Sequence, residues 1–146
     1  LANIIYKYGE ERRSRLIAKN IEKMRPLKSV FELVEAIRRS TPPNQRKKSL
    51  ARVFQAIRIK VNDELRKLEK FLHFFINYLK LGGRIAIVSF HSLEDRIVKH
   101  QFKNIAKNKS LFIHTKKPLT ASKSEIIENR RSKSAKLRFA EKIIDA

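Results

Sequence analysis

The chain has 146 residues, with 35 Lys+Arg against 14 Asp+Glu and a formal net charge of +21, so it fits one domain of ordinary size and not a large multidomain machine. It contains no Cys, which excludes a disulfide framework, a thiolate nucleophile and a Cys-based zinc site and fits a cytoplasmic location. The longest apolar stretches, Phe74-Phe75-Ile76 and Ile85 to Val88, are far too short to cross a bilayer, and no apolar signal core opens the chain.

The first residue is Leu1, within what reads as a running helix, so a piece of a longer protein is expected. Residues 10–24 read as a helix with Leu16, Ile17, Ile21 and Met24 on one side, ended by Pro26. Ser29 and Glu32 have the spacing of a capping box, in which each side chain bonds the other residue's backbone N–H. Val30, Leu33, Val34 and Ile37 then form the apolar stripe of a second helix. Thr41-Pro42-Pro43-Asn44 breaks the chain, and residues 40–48 read as a loop or linker. From Leu50 to Leu79 apolar residues recur at three- and four-residue steps. That pattern predicts one long amphipathic helix, or two with a bend. Gly82-Gly83 stops it.

Ile85-Ala86-Ile87-Val88-Ser89-Phe90 predicts a strand buried on both faces, and hence a parallel sheet with helices on each side. A helix is expected from Ser92, the predicted N-cap, to about Asn104. Residues 111–120 read as a second strand with a polar exit at Lys116-Lys117-Pro118. Ser122 and Glu125 again have capping-box spacing. Residues 135–144 read as a final strand, with helix as the competitor. The fold class is therefore α/β, with helix, glycine stop, strand, polar loop and helix making half of a βαβ wind.

The positive charge points to polyanions. The basic residues are spread along the chain, which suits a folded body with several basic edges. RNA is preferred over DNA, since no helix-turn-helix, zinc finger or heptad zipper is legible. In open α/β sheets ligands bind beyond the carboxyl ends of strands. Here that stretch is Ser89 to Arg96. The cluster favours function over a mere helix start because His91 has no evident capping role. No Gly-x-Ser-x-Gly elbow, metal-ligand spacing or Gly-rich phosphate loop is legible. Gln55, Arg58 and Asn62 project from the polar side of the long helix, where a solvated face is the default.

Four blocks then carry a family resemblance: Tyr8-Gly9-Glu10-Glu11-Arg12 with Arg15 and Ile17-Ala18; Arg52-Val53-Phe54-Gln55-Ala56-Ile57-Arg58-Ile59 with Val61-Asn62 and Glu64-Leu65; Gly82-Gly83-Arg84 with Ser89 through Lys99; and Lys116-Lys117-Pro118 with Arg131 through Arg138. In this order they resemble the C-terminal half of the bacterial small-subunit ribosomal RNA methyltransferase H family. Two stretches depart from the family pattern. Lys47-Lys48-Ser49-Leu50-Ala51 replaces a His-Pro-Ala-Thr-like run, and Asn129-Arg130 replaces Asn-Pro.

The resemblance implies a class I, Rossmann-like methyltransferase sheet. Residues 1–48 would be the end of a helical insertion domain with its linker, and 49–146 the C-terminal part of the Rossmann-like domain. It implies S-adenosylmethionine-dependent methylation of the exocyclic 4-amino group of a cytidine in the decoding region. The partner would be 16S rRNA or the small ribosomal subunit, with no DNA and no membrane. The family's cofactor-binding residues lie in an N-terminal part with no counterpart here, so this stretch alone is expected to be inactive. On that reading His91, Glu94 or Asp95 takes the amine proton or holds the base edge. Ser89 and Ser92 hydrogen-bond the cytosine, and Phe90 either stacks on it or is a buried core residue. Arg58, Arg96, Lys116 and Lys117 meet phosphates. A small basic, non-enzymatic RNA-binding or ribosome-associated protein is the competing reading.

Overall fold

A computed structural model describes residues 1–144. They form two compact units, divided in sequence between Glu64 and Leu65. The boundary expected at residue 48 concerns which residues belong to the insertion of a larger protein, and packing within this chain does not bear on it.

The first unit is helical. Helices α1 (Ala2–Gly9), α2 (Ser14–Lys23), α3 (Val30–Arg39) and α4 (Arg46–Asn62) enclose Ile5, Ile17, Ala18, Ile21, Ala36, Ile37 and Val53. The predicted helix over 10–24 begins later, at Ser14. Glu10 adopts a left-handed conformation at φ 50° and its N–H bonds the Tyr6 carbonyl, so it terminates α1 and turns the chain. The capping box of Ser29 and Glu32 forms as its spacing predicts. The expected linker over 40–48 is mostly helical instead. Pro43 starts a short 3-10 turn and α4 follows from Arg46, because proline is preorganised for a first helical turn. The long periodic segment divides at Asp63, whose left-handed backbone (φ 55°) ends α4. Aspartate tolerates that conformation better than most residues.

Helix α5 (Glu64–Phe74) starts on the last residue of the first unit and otherwise belongs to the second, where it and a 3-10 turn (Phe75–Tyr78) lead to the glycine stop. Gly82 sits at φ +74°, and a Cβ on Gly83 would lie 2.7 Å from the Lys80 carbonyl oxygen. Strand β1 (Arg84–Ser89), helix α6 (Ser92–Lys107), strands β2 (Leu111–Ile113) and β3 (Leu119–Thr120), helix α7 (Lys123–Glu128) and strand β4 (Lys136–Lys142) follow. The final strand forms as expected, and β1, β2 and β3 all pair with it. Its inward face carries Ala140 into a core with Leu72, Phe75, Val98, Phe102 and Leu111.

Two expectations for this sheet are corrected. Every strand pairing among the described residues is antiparallel, not parallel. Strand β1 is also not buried on both faces. Ile85, Ile87 and Ser89 turn inward, while Arg84, Ala86 and Val88 are exposed. A β-branched run reports that a strand is favourable; it does not report the direction of its partner or which faces are covered. The stretch over 111–120 is two short strands and not one. Between them the Thr115 hydroxyl stands in for the ladder, accepting from the Phe139 N–H at 3.0 Å.

Candidate functional site

The polar turn after β1 is built by the start of α6. Ser89 is buried as the last residue of β1, and Phe90 follows with 55 % of its surface exposed. His91, not Ser92, is the N-cap of α6: its Nδ1 accepts from the Glu94 N–H at 3.3 Å. The Glu94 carboxylate reaches back, its Oε2 accepting from the N–H groups of Phe90 (2.9 Å) and His91 (3.3 Å). His91 thus has the capping role that its residue type concealed. The inference of function from its lack of one falls away. His91 Nε2 also lies 3.4 Å from Glu94 Oε1. Ser92 opens α6 half-buried, and Arg96 is exposed one turn on.

Asp95 is tied to the closing strand. Arg138 donates Nε to Oδ1 at 2.7 Å and Nη2 to Oδ2 at 3.3 Å, and Lys136 Nζ lies 3.9 Å from the same carboxylate. The register explains the meeting. Arg138 stands opposite Ile87 and Lys136 opposite Ser89, so the inward face of β4 delivers both cations to the end of β1. The sequence alone gives Lys136 and Arg138 no site role, although both stand in the closing block of the family likeness. The signal was a long basic side chain at alternate positions of a strand otherwise bound for the core.

Arg138 also lines a groove of about 420 Å³ with Lys99, Lys103, Lys116 and Phe102. Lys116 therefore joins the site, whereas Lys117 is exposed and does not line the groove. Four cations and no carboxylate line it, which does not suit S-adenosylmethionine, whose reactive sulfonium is itself positive.

In the first unit Gln55 donates Nε2 to the Tyr8 carbonyl at 3.0 Å, which fixes α1 on α4. Arg58 grips Glu64 through Nε (2.8 Å) and Nη2 (3.1 Å), and Asn62 donates to the same carboxylate at 3.2 Å. So Arg58 and Asn62 come together on one acid, and Gln55 does not join them. Missed by sequence reasoning was Glu11, only 3 % exposed. It accepts from the Arg13 N–H (3.0 Å), the Ser49 hydroxyl (2.9 Å) and Arg52 Nη1 (3.5 Å). Burial alone would push its carboxyl up, but these three donors outweigh burial and hold it below the usual carboxylate range.

A depressed carboxyl contributes stability that is present above the unfolded value of about 4.3 and lost as pH falls through the folded one. Glu11→Gln is accordingly expected to cost about 1–3 kcal/mol near neutral pH. Its urea midpoint should converge on that of the parent as the buffer is taken below about pH 4. A gap that stays constant with pH would contradict the charged-anchor account.

The geometry assembles the sequence blocks in two pairs. The Tyr8–Arg12 block meets the Arg52–Ile59 block in the first unit, and the Ser89–Arg96 turn meets the Lys136–Arg138 strand in the second. The model of the MraW methylase family matches residues 1–143, and the chain belongs to that family. Among its relatives, "Ribosomal RNA small subunit methyltransferase H" of Trichormus variabilis is 56% identical over 97% of this chain and 47% of its own length. The proteins of the same name from Thermosipho africanus and Kosmotoga olearia are each 53% identical over 98% of this chain and 49% of their own length. The chain thus spans about half the length of the relatives it matches, and the family likeness read from the four blocks is borne out.

Proposed function

We propose that this chain is the C-terminal part of an S-adenosylmethionine-dependent methyltransferase acting in the cytoplasm on 16S rRNA or the small ribosomal subunit. The acceptor is the exocyclic 4-amino group of a cytidine in the decoding region. Residues 1–48 end a helical insertion, and 49–146 complete a Rossmann-like domain whose remaining strands and cofactor site lie outside this chain. The observation that carries the reading is the turn itself. An exposed aromatic ring, Phe90, stands at the carboxyl end of β1, directly beside a carboxylate–imidazole pair held by backbone N–H groups.

In this reading an unstacked cytosine lies on the Phe90 ring, as base-modifying enzymes require of their targets. Ser89 and Ser92 offer hydroxyls to its edge. Glu94, the more exposed member of its pair with His91, takes the proton that the amine loses. Asp95 acts through Arg138 as a positioning residue for the turn. Lys116, Lys117, Arg96 and Arg58 meet phosphates, which position the strand without reading its sequence. The turn, anchored by the two carboxylates of Glu94 and Asp95, gives a preorganised wall, and catalysis of this kind rests on orientation and electrostatics.

The test uses a protein of the relatives' length that contains this chain, unmodified small subunits and a methyl-labelled donor. After nuclease digestion the label is expected to run with the 4-amino-methylated cytidine. Label in another nucleoside would overturn the acceptor assignment. No label with RNA binding retained would favour the non-enzymatic reading. The 146-residue chain alone is expected to transfer no label.

A further inference from the structure

The first unit carries a cleft of about 610 Å³ to which the methyl-transfer reading gives no role. Its walls are the connection between α1 and α2, through Arg12 and Arg13, and the opening turns of α4, through Lys48 and Arg52. Four cations line it against one carboxylate, Glu11. That carboxylate is buried and already engaged by Ser49, Arg52 and the Arg13 N–H. It therefore answers Arg52 and leaves the rest of the lining uncompensated. Arg12, Arg13 and Lys48 are exposed, and their side chains make no hydrogen bond or ion pair among the described residues.

Gathering like charges on one wall is unfavourable unless an anion answers them. The helices beside the cleft sharpen the imbalance. Neither α2 nor α4 has a side-chain cap or an acidic residue in its first turn, whereas α3, α6 and α7 have both. The first N–H of each, at Ser14 and Arg46, bonds the Glu11 and Pro43 carbonyls, and the helix dipoles still add positive partial charge where the basic side chains stand. Arginine's planar fork matches phosphate oxygens in particular.

We propose that this cleft takes a phosphodiester of the RNA strand, with Arg12, Arg13 and Lys48 on its oxygens and Arg52 held back by Glu11 as a fixed wall. The inference rests on the RNA reading above and adds a place for the backbone on the helical unit. Because the three side chains are exposed, removing them spares the core.

The experiment titrates a protein of the relatives' length that contains this chain into a fluorescein-labelled single-stranded RNA and follows anisotropy over a series of salt concentrations. The parent is compared with Arg13→Ala/Lys48→Ala and with Lys67→Ala/Lys70→Ala, which removes the same charge from exposed positions of α5. The cleft variant is expected to bind about tenfold more weakly at low salt, with a log–log salt slope shallower by roughly 1.4, or about 0.7 for each lost contact. The control is expected to stay within about twofold. Equal losses in the two variants would show that only net charge matters, which overturns the cleft while leaving the RNA reading in place. A parent that binds no RNA would overturn both. Full displacement by inorganic phosphate at matched ionic strength would give the cleft to a free anion and overturn the strand assignment.

Discussion

Gly9→Ala is expected to destabilise the helical unit by about 2 kcal/mol or more, and Gly9→Val by more still. The sign is the informative part. Alanine is the better helix former by roughly 1 kcal/mol, so on propensity alone the change would stabilise α1. The crossing with α4 reverses that. A Cβ on Gly9 would lie 2.5 Å from the Arg52 carbonyl oxygen and 3.3 Å from Ala56 Cβ. The first neighbour is backbone and cannot swing aside, so the helices must separate. Separation also stretches the Gln55 bond to Tyr8 and the Glu11 bonds to Ser49 and Arg52. Urea unfolding followed by far-ultraviolet circular dichroism gives the answer. A stabilised Gly9→Ala protein would mean that the close crossing is wrong.

Asp95→Ala is expected to cost the second unit about 3 kcal/mol or more. The side chains of Asp95 and Arg138 are only 13% and 7% exposed, and the pair is bidentate. Removing the acid leaves Arg138 buried with its charge unanswered, which costs more than the pair's own net worth. The double change Asp95→Leu with Arg138→Met should therefore recover most of the loss, since it removes both charges together. Thermal melts separate the cases, at about 4–8 °C per kcal/mol for a unit of this size. A double variant as unstable as Asp95→Ala would place the loss in packing instead of charge. His91, Glu94 and Asp95 all hold the turn together, so an alanine at any of them reads folding and chemistry at once.

What the sequence reveals here depends on how far apart the partners lie. The Ser29–Glu32 box and the Ser122 cap are three-residue contacts, and their spacing suffices to read them. The His91–Glu94 box has the same spacing, yet histidine is outside the usual N-cap set, so it is read as chemistry when it is also architecture. Asp95 and Arg138 are 43 residues apart, and Glu11 and Ser49 are 38 apart. No local pattern links such pairs; only the antiparallel register of β4 and the α1–α4 crossing bring them together. The same limit explains the sheet. Residues 84–89 have the composition of a strand, but its direction and its covered face are decided by β4, a segment whose local pattern suits helix as well as strand. The polar turn at the strand's end is legible locally, and its basic neighbours on the closing strand are not.

Phe90 offers the cleanest examination of the turn as a base-binding wall, because its ring is exposed and belongs to neither hydrophobic core. The measurement is kcat/KM for methyl transfer to RNA by Phe90→Ala, in a protein of the relatives' length, alongside its melting curve. Loss of base stacking predicts a fall of about tenfold or more. The melting temperature should be unchanged. A kcat/KM within about twofold of the parent, far below any stacking loss, would show that the base does not rest on this ring.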